Sequence, residues 1–353
     1  MVQQDVLTEI LSFGKDLDGI AGELAAEPAA VVRKVAPGRA GYGADTDVVG
    51  GHAERLPAIE VASRRALEDF VGPAQNAVEK VARQGPDTHL TAEETVALEA
   101  IVLPMARPAI LIQDGSFFKP PNPWTDDLER HRATIETVCR SVGRIEVDGH
   151  PAIDWVGTGW LAAPGVVMTN RHVANEFATA SGAGWTFTSG MTARTDFNEE
   201  LSAGVPRELK LTEIIGIHAE LDLALLACDS GDGVAPLPIS AAPTGTGAKV
   251  YVVGYPAADS RRNDPDEMQR IFAGIYNVKR LQPGAVRSLD GRQFVHDCST
   301  LGGNSGSCVV DLETAQVVGL HFGGRYLKGN YAVALWELAD DPLLTSAGVR
   351  LSA

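Results

Sequence analysis

The stretch Gly302–Val310, "GGNSGSCVV", places Ser305 on a glycine-rich turn immediately before an apolar run. Gly, Asn and Ser are the residues that turns use most, so Ser305 by itself is an ordinary turn residue. The same loop is also suited to hold a nucleophile, with backbone N–H groups facing a negative charge that develops during a reaction. A serine nucleophile additionally needs a histidine base and an acid that orients this base. The remainder of the chain decides between the two interpretations.

Of the eight histidines in the chain, His172 is best placed to act as the base. It follows an apolar predicted hairpin in "GTGWLAAPGVVMTNRHVAN" and precedes a predicted helical turn, which puts the imidazole at the edge of a barrel. The acid candidate is Asp222 in "HAELDLALLACD", because a partly buried carboxylate at the head of an apolar strand needs a partner. A structural histidine and a turn-capping aspartate are the alternatives for these two residues.

The order of the three candidates along the chain is informative. His172, Asp222 and Ser305 follow one another in a region rich in predicted strands. Among serine hydrolases, the order His, Asp, Ser is that of chymotrypsin-like barrels, whereas α/β-hydrolases have Ser, Asp, His and subtilisins have Asp, His, Ser. The nucleophile-elbow pattern G-x-S-x-G also fails, because position 307 is serine. The combination therefore favours a Ser-His-Asp triad on a β fold.

The overall composition narrows the function classes. With 44% hydrophobic and 22% charged residues over 353 positions, the chain has the make-up of an ordinary globular protein. A formal net charge of −16 argues against a nucleic-acid partner, because phosphate contacts need clustered Lys and Arg. We find neither a secretory signal nor an apolar segment of about 20 residues, the length that spans a bilayer. A cytoplasmic location without a membrane partner is therefore expected.

No metal ion or cofactor is expected from the motifs. The chain contains no H-E-x-x-H pattern, no C-x-x-C spacing and no complete phosphate-binding loop around "GTGAK". Its four cysteines, at positions 139, 228, 298 and 308, are predicted to be reduced, mostly buried thiols. A disulfide between Cys298 and Cys308 stays open at this point.

The N-terminal part of the chain has helical patterns. Apolar residues three and four apart predict amphipathic helices within 5–17, 58–84 and 88–102. The last of these begins with Thr91 and Glu94 in the arrangement of a capping box. A glycine-rich interval at 36–51 is predicted to be a loop.

The sequence pattern changes from helical to strand-like at Val142. Short β-branched runs separated by Gly and Pro predict an all-β sandwich or barrel, with a hairpin at Ala163-Pro164-Gly165 and a short closing helix within 341–351. Before it, "KPPNPW" is predicted to be extended and the following residues to be helical. We divide the chain into a helical N-terminal region at 1–105, a connecting segment at 106–141 and a β domain at 142–353.

Three motifs resemble those of a known family. "TNRHV" around His172, "DLALL" from Asp222 and "GGNSGS" around Ser305 are similar to the catalytic signatures of trypsin-fold serine peptidases, most of all to the bacterial glutamyl-endopeptidase branch. The resemblance covers approximately residues 140–340 and does not include the helical region. It implies a mostly β, chymotrypsin-like double β-barrel that is preceded by an α-helical N-terminal region.

The resemblance also implies roles for individual residues in the hydrolysis of polypeptide substrates. Ser305 would attack the scissile carbonyl, His172 would accept the serine proton, and Asp222 would orient His172. The N–H groups of Gly303 and Ser305 would form an oxyanion hole.

The specificity pocket follows from the glutamyl-endopeptidase resemblance. Thr300 and His321 match the threonine and histidine that hold a substrate carboxylate in that branch, although His321 lies one residue further from Ser305 than expected. Gly323 would let a substrate strand approach the rim of the pocket. Cleavage after Glu or Asp is predicted, with a preference for small or apolar residues as the alternative.

Two further features concern regulation. Asn304 stands where digestive trypsin-like enzymes have an Asp that pairs with a newly formed N-terminus, so activation through that ion pair is not expected. Cleavage near Arg107 is a separate hypothesis for the mature start. The region 1–105 is interpreted as a pro-segment, a regulatory or partner-binding domain, or a layer packed on the barrel. We favour regulation, and a protein partner or regulator that acts through this region is one hypothesis.

Two other functions stay open for the β domain. The first is a quality-control peptidase of the same fold with a small or apolar preference. The second is a catalytically silent barrel that serves as a binding module, which the presence of all three triad residues disfavours.

Overall fold

Strands form most of the regular secondary structure among the described residues. The computed structural model describes residues 20, 22, 24–26, 71–84, 88–97, 106–121, 123–182, 184–202, 205–229, 233–258, 268, 271–272, 274–325 and 329–352. The chain divides into two compact units: the first comprises Met1–Ile110, Phe118–Arg130 and Ser260–Ile275, and the second Leu111–Phe117, His131–Asp259 and Tyr276–Ala353. The predicted helix at 5–17, the start of that at 58–84 and the loop at 36–51 lie outside the described residues. The division at residues 105 and 141 stays a prediction.

The helical elements that can be delimited within the described residues are short except for the first. They are α1 (Val71–Gln84), α2 (Ala92–Ala97), α3 (Thr125–Arg130), α4 (Arg132–Cys139), α5 (Arg171–Ala174) and α6 (Pro342–Ser346), with a 3₁₀ turn at Leu335–Leu338. No described helix combines the length and the apolar character that crossing a bilayer requires.

The strands are β1 (Ile110–Gln113), β2 (Ser116–Phe117), β3 (Val142–Asp148), β4 (Trp155–Ala163), β5 (Val166–Thr169), β6 (Ala178–Ser181), β7 (Gly184–Phe187), β8 (Thr192–Asp196), β9 (Glu208–Ile217), β10 (Ala224–Cys228), β11 (Ile239–Ser240), β12 (Lys249–Gly254), β13 (Arg280–Asp290), β14 (Gln293–His296), β15 (Cys308–Asp311), β16 (Val317–Arg325), β17 (Gly329–Ala334) and β18 (Leu351–Ser352).

The predicted capping box at the start of α2 is confirmed. The Thr91 N–H donates to Glu94 Oε2 over 2.9 Å, and the Glu94 N–H donates to Thr91 Oγ1 over 3.1 Å. Lys80 on α1 forms an ion pair with Glu94 over 2.6 Å, which links the two helices. Each end of this arrangement satisfies backbone donors that a helix start leaves without intrahelical partners.

The first barrel is closed by six strands in the order β10-β5-β4-β3-β8-β9. The predicted hairpin between β4 and β5 is confirmed, with Pro164-Gly165 as its turn and Gly165 at φ 72°. Side chains along β9 alternate between buried and exposed over its first half, as expected for a strand with one face on a core. Phe177 and Phe197 are among the large side chains that fill the interior.

The second barrel has the strand order β12-β15-β16-β17-β14-β13, and pairing of β12 with β13 closes it. The hairpin of β1 and β2 extends this sheet beside β13, and β11 and β18 pair at its side. Val252, Phe294 and Trp336 belong to its core. Together the two barrels confirm the predicted chymotrypsin-like double barrel. The predicted closing helix is α6, capped by Asp341.

The four cysteines are buried free thiols, so Cys298 and Cys308 do not form a disulfide. Burial raises the pKa of the Cys139 thiol to about 12 and that of Cys228 to about 11. Such thiols are protonated at neutral pH, and they pack as small apolar side chains.

A buried ammonium group supports the second unit. The side chain of Lys279 is fully buried, and its Nζ donates to the carbonyls of Cys139 and Phe197 over 2.9 and 2.6 Å. Glu200 lies 3.3 Å from the same Nζ, and its other carboxylate oxygen accepts the Gly115 N–H over 2.8 Å. Burial lowers the pKa of Lys279, and the charge of Glu200 opposes this effect. The network therefore depends on the mutual compensation of two charges.

Replacement of Lys279 by Met is expected to lower the free energy of unfolding by about 3–5 kcal/mol, because Glu200 and two carbonyls lose their buried partner. The additional change Glu200→Gln should recover part of this loss. Urea denaturation measures both. As a control, Arg292→Met removes an exposed ion pair and should change the free energy by at most about 1 kcal/mol. Equal effects of Lys279→Met and Arg292→Met would contradict the role of the network.

Candidate active site

His172 and Asp222 come together at the end of two paired strands. Ala224 on β10 pairs with Thr169 on β5, so the residues that precede β10 lie beside those that follow β5. The His172 N–H donates to Asp222 Oδ1 over 2.9 Å, and His172 Nδ1 lies 2.6 Å from Asp222 Oδ2. The predicted helical turn after β5 is present as α5, and it carries the histidine. Register and turn together thus produce the contact.

The carboxylate determines which ring nitrogen carries the proton. Burial alone would raise the pKa of Asp222, but the hydrogen bonds and the charge of His172 outweigh it and hold the pKa below the usual value. An ionised carboxylate only accepts hydrogen bonds, so Nδ1 of His172 is the donor. In the neutral ring, Nε2 then has a free lone pair. Half of the His172 side chain is exposed, and this nitrogen is available as a base.

Ser305 is brought to the first barrel by contacts of its backbone. The Thr158 N–H donates to the Ser305 carbonyl over 2.9 Å, and the Thr158 hydroxyl donates to the Gly303 carbonyl over 2.8 Å. A Cβ added at Gly157 would lie 2.8 Å from Val173 and 2.9 Å from the Ser305 carbonyl oxygen. The Ser305 backbone therefore lies across Gly157 from the residue that follows His172. The Ser305 hydroxyl makes no hydrogen bond to any described residue.

The loop around Ser305 requires glycine on both sides. Gly303 has φ 86° and Gly306 has φ 89°, in the left-handed region that residues with a Cβ rarely adopt. A Cβ at Gly306 would also collide with the Thr158 carbonyl and the Thr169 hydroxyl. The sequence pattern around Ser305 is thus explained by backbone conformation and by close packing.

Two peptide groups of this loop are oriented by their carbonyls. The Gly302 carbonyl accepts the Ala257 N–H over 2.6 Å, and the Asn304 carbonyl accepts the Ser307 N–H over 2.9 Å. In a trans peptide the N–H points opposite to the C=O, so the N–H groups of Gly303 and Ser305 point away from these partners. Neither N–H donates a hydrogen bond to a described residue. Both are available to an acceptor that approaches Ser305.

His321 lies beneath the same loop and is almost fully buried, at 2% exposure. Its backbone N–H donates to the Ser307 carbonyl, and its carbonyl accepts the Gly306 N–H, both over 2.9 Å. Its Nδ1 lies 3.2 Å from Nε2 of His296, a residue that sequence reasoning did not select. Burial holds the pKa of His321 well below its usual value, and the charges of His296 and His172 act in the same direction.

The other predicted pocket residues lie at the surface of the second barrel. Thr300 is half-buried in the segment that leads to the Ser305 loop. A Cβ at Gly323 would meet no atom within 4 Å, so the space beside this position on β16 is open. A register shift between His321 and Gly323 interrupts the pairing of β16 with β17. The structure thus leaves room beside Gly323, and the roles of Thr300 and Gly323 stay predictions.

A cavity of about 400 Å³ adjoins the pair of His172 and Asp222. Both barrels contribute to it, the first through the segments around α5 and the start of β10, and the second through β14, β16 and β17. Its lining includes Leu221, Gln293, Phe322 and Val333. These four residues carry no motif and could not have been selected from the sequence.

Asn304 and Arg107 are the two positions to which the sequence analysis attached hypotheses about activation. Asn304 is fully buried, and its Nδ2 donates to the Leu301 carbonyl over 3.4 Å. On either side of Arg107, Ala106 and residues 108–110 are buried. A peptidase needs an extended, accessible segment, so cleavage near Arg107 requires this segment to leave its place. The hypothesis of processing at this site stays a prediction.

One acidic group approaches the spacing of metal ligands among the described residues, namely Glu146, Asp196 and Glu199. Arg144 lies 2.5 Å from Glu146 and 3.2 Å from Glu199, and Arg194 lies 2.6 Å from Glu146. Two arginines therefore already balance most of the negative charge, and the group is best described as an ion-pair network.

The comparisons with known proteins give a match of part of the chain to one family model. Residues 157–320 match the family of the trypsin-like peptidase domain. This range contains all three candidate catalytic residues. The two-barrel fold described above is that of trypsin-like serine peptidases. No curated protein matches the sequence significantly.

Two solved structures illustrate the structural similarity. The active form of the Rv3671c protease from M. tuberculosis is 22% identical, covers 64% of this chain and 88% of its own, and has a TM-score of 0.43. A serine endoprotease from Yersinia pestis is 15% identical, covers 64% of this chain and 68% of its own, and has the same TM-score of 0.43. At these values neither structure carries an argument about the chemistry of this chain.

Thr158→Val is expected to lower the free energy of unfolding by about 1–3 kcal/mol, because the Gly303 carbonyl and the Tyr255 N–H lose a buried partner while the shape is kept. Thr158→Ser retains the hydroxyl and should recover most of the loss. Thr137→Val, at an exposed helix position, is the control. Chemical denaturation is the measurement. If Thr158→Val were as stable as Thr137→Val, the proposed anchoring of the Ser305 loop would be wrong.

Proposed function

We propose that the protein is a serine endopeptidase that hydrolyses peptide bonds through an acyl-enzyme. The observation that carries the proposal is the contact of His172 with Asp222, which makes Nδ1 the donor and turns Nε2 of His172 toward the role of proton acceptor. The Ser305 loop comes to the same place from the second barrel. A base, its orienting acid and a serine nucleophile are the groups that peptide hydrolysis by a serine requires.

The proposed reaction uses each of these groups in turn. Ser305 Oγ attacks the scissile carbonyl, and its proton passes to Nε2 of His172. The N–H groups of Gly303 and Ser305 donate to the oxyanion that forms. One such donor lowers the activation free energy by about 3 kcal/mol. His172 then protonates the leaving amine, and water hydrolyses the acyl-enzyme by the same route. The ionised Asp222 stabilises the imidazolium in both steps.

The resting structure has no hydrogen bond between Ser305 and His172. Catalytic hydrogen bonds are often long in enzymes without substrate and tighten when substrate binds. The exposed His172 side chain and the half-buried Ser305 leave freedom for this approach.

We further propose that the peptidase prefers Glu, or Asp, before the scissile bond. The support is the pair of His296 and His321 below the Ser305 loop. When Nε2–H of His296 donates to Nδ1 of His321, the proton of the neutral His321 ring is on Nε2 and can be donated to a substrate carboxylate. A carboxylate beside the ring would favour its protonation and so gain a charged partner. Thr300 would supply a hydroxyl donor to the same group.

The first prediction concerns the triad. Wild-type protein should cleave a mixed peptide library, and Ser305→Ala should abolish the cleavage. Asp222→Asn should lower kcat by about 10,000-fold, because an amide at this position favours the wrong tautomer of His172. Mass spectrometry of the products and initial rates on one selected peptide are the measurements. Cleavage that persists in Ser305→Ala would show that another residue is the nucleophile.

The second prediction concerns the pocket. The ratio of kcat/KM for peptides with Glu and with Gln before the scissile bond should decrease as the pH rises above the lowered pKa of the free His321, because the neutral ring must take up a proton to gain a charged contact with the Glu carboxylate. His321→Gln should reduce this ratio by about 10–100-fold, the value of one hydrogen bond to a charged group. The rates on Gln peptides serve as the internal control. Equal wild-type cleavage of both peptides would exclude the acidic preference and favour a small or apolar pocket.

A further inference from the structure

A second histidine–aspartate pair lies at the base of the turn that carries Asp222. His218 directly follows β9, and its Nε2 is 3.1 Å from Oδ2 of Asp341. The two side chains are only 10% and 11% exposed. This pair belongs neither to the proposed triad nor to the proposed specificity pocket, so its function needs a separate explanation.

His218 organises the turn through its other ring nitrogen. Nδ1 accepts the N–H of Glu220 over 3.1 Å and the N–H of Leu221 over 3.0 Å. A nitrogen that accepts two N–H groups carries no proton, so the ring proton is on Nε2 and is donated to Asp341. The two contacts therefore select one tautomer, and that tautomer is the one that holds the main chain immediately before Asp222.

Asp341 is itself fixed by the start of α6. Its Oδ1 accepts the N–H groups of Leu343 and Leu344 over 2.9 and 3.2 Å. Leu343 also packs against β9, because a Cβ added at Gly216 would lie 2.5 Å from its Cδ1. The carboxylate that faces His218 is thus held by a capped helix and not by a mobile side chain.

The segment of His172 makes further contacts with the main chain of the turn. Arg171 donates to the carbonyls of Ala219 and Glu220 over 2.8 and 2.9 Å, and Asn170 Nδ2 donates to the Asp222 carbonyl over 2.8 Å. These bonds hold carbonyl groups. His218 holds the N–H groups on the opposite side of the same peptides, and so completes the constraint on the turn.

We propose that His218 is a positioning residue for Asp222, and through it for His172, with Asp341 fixing the tautomer of His218. The proposal rests on the proposed peptidase function. With the N–H groups of Glu220 and Leu221 held, the Asp222 side chain leaves the main chain in the direction of the His172 ring. Without them, the turn relaxes and the short hydrogen bond between Asp222 and His172 loses its geometry.

Three substitutions of His218 separate its two contacts. In His218→Asn, the amide oxygen takes approximately the place of Nδ1 and can accept the two N–H groups; in His218→Gln, the amide nitrogen takes the place of Nε2. His218→Ala removes both contacts. We expect Ala and Gln to lower kcat by about 10–100-fold with little change in KM, as for a small displacement of a catalytic group. Asn should retain most of the wild-type kcat. Rescue by Asn and not by Gln is a pattern that a merely structural role would not produce.

The chain offers a matched control in His150. Its Nδ1 likewise accepts two N–H groups, those of Ala152 and Ile153, each over 3.2 Å, and its Nε2 lies 3.6 Å from Glu176 Oε2. His150→Ala should leave kcat within about twofold of wild type, measured on a short chromogenic substrate. Thermal melting of every variant shows whether the fold is kept. If His218→Ala does not fold, Asp341→Asn, which retains an oxygen acceptor for the helix, replaces it and should lower kcat without affecting KM.

A second readout does not depend on activity. In ¹⁵N-labelled protein, the Nδ1 proton of His172 that is shared with Asp222 should give a downfield, protected NMR signal. The signal should persist in His218→Asn and His150→Ala and weaken in His218→Ala and His218→Gln. An inactive wild type would defeat the proposed function, whereas the NMR signals would still decide about His218. Wild-type kcat and an unchanged signal in His218→Ala, or equal impairment of Asn and Ala, would overturn the inference.

Discussion

The junction of the two barrels at Gly157 and Thr158 is the constraint on which the candidate site depends. Here the Thr158 N–H binds the Ser305 carbonyl over 2.9 Å, and Gly157 leaves no side chain to separate Val173 from the Ser305 backbone. His172 belongs to the first barrel and Ser305 to the second. Without this close approach neither barrel holds a complete set of the candidate catalytic groups. The glycines around Ser305 serve the same end, because positive φ angles at Gly303 and Gly306 turn the loop toward the junction.

Histidine performs different tasks in this protein because its environment differs from place to place. His172 is half-exposed beside a carboxylate, which leaves one ring nitrogen free to accept a proton. His321 is buried beside another histidine, and burial lowers its pKa so that it remains neutral without a ligand. His218 accepts two N–H groups and donates to Asp341, an arrangement that holds the main chain. Burial and the identity of the partner, and not the residue type, distinguish the three.

The buried charged side chains near the barrels also depend on the partners that surround them. Lys279 has three partners, two carbonyls and Glu200, and it joins segments that are far apart in the chain. Arg144 and Arg194 likewise balance a group of acids on the first barrel. Partners of this kind are costly to remove, so they restrict the structure to one arrangement of its segments. A site that needs precise distances between two barrels benefits from such restriction.

Local patterns in the sequence determined much of the architecture. The capping box at Thr91 and Glu94, the hairpin at Pro164-Gly165, the short helix that carries His172 and the β character after Val142 were all predictable, because caps, turns and alternation depend on neighbouring residues. The order of the three motifs also determined which residues to consider for chemistry.

The tertiary structure decided which polar groups meet. The contact of His172 with Asp222 spans 50 positions, that of Lys279 with Cys139 spans 140, and that of Thr158 with Gly303 spans 145. Thr158 carries no local signal for its contact with Gly303, and His218 carries none for its contact with Asp341 123 positions away, because only the tertiary structure brings these partners together.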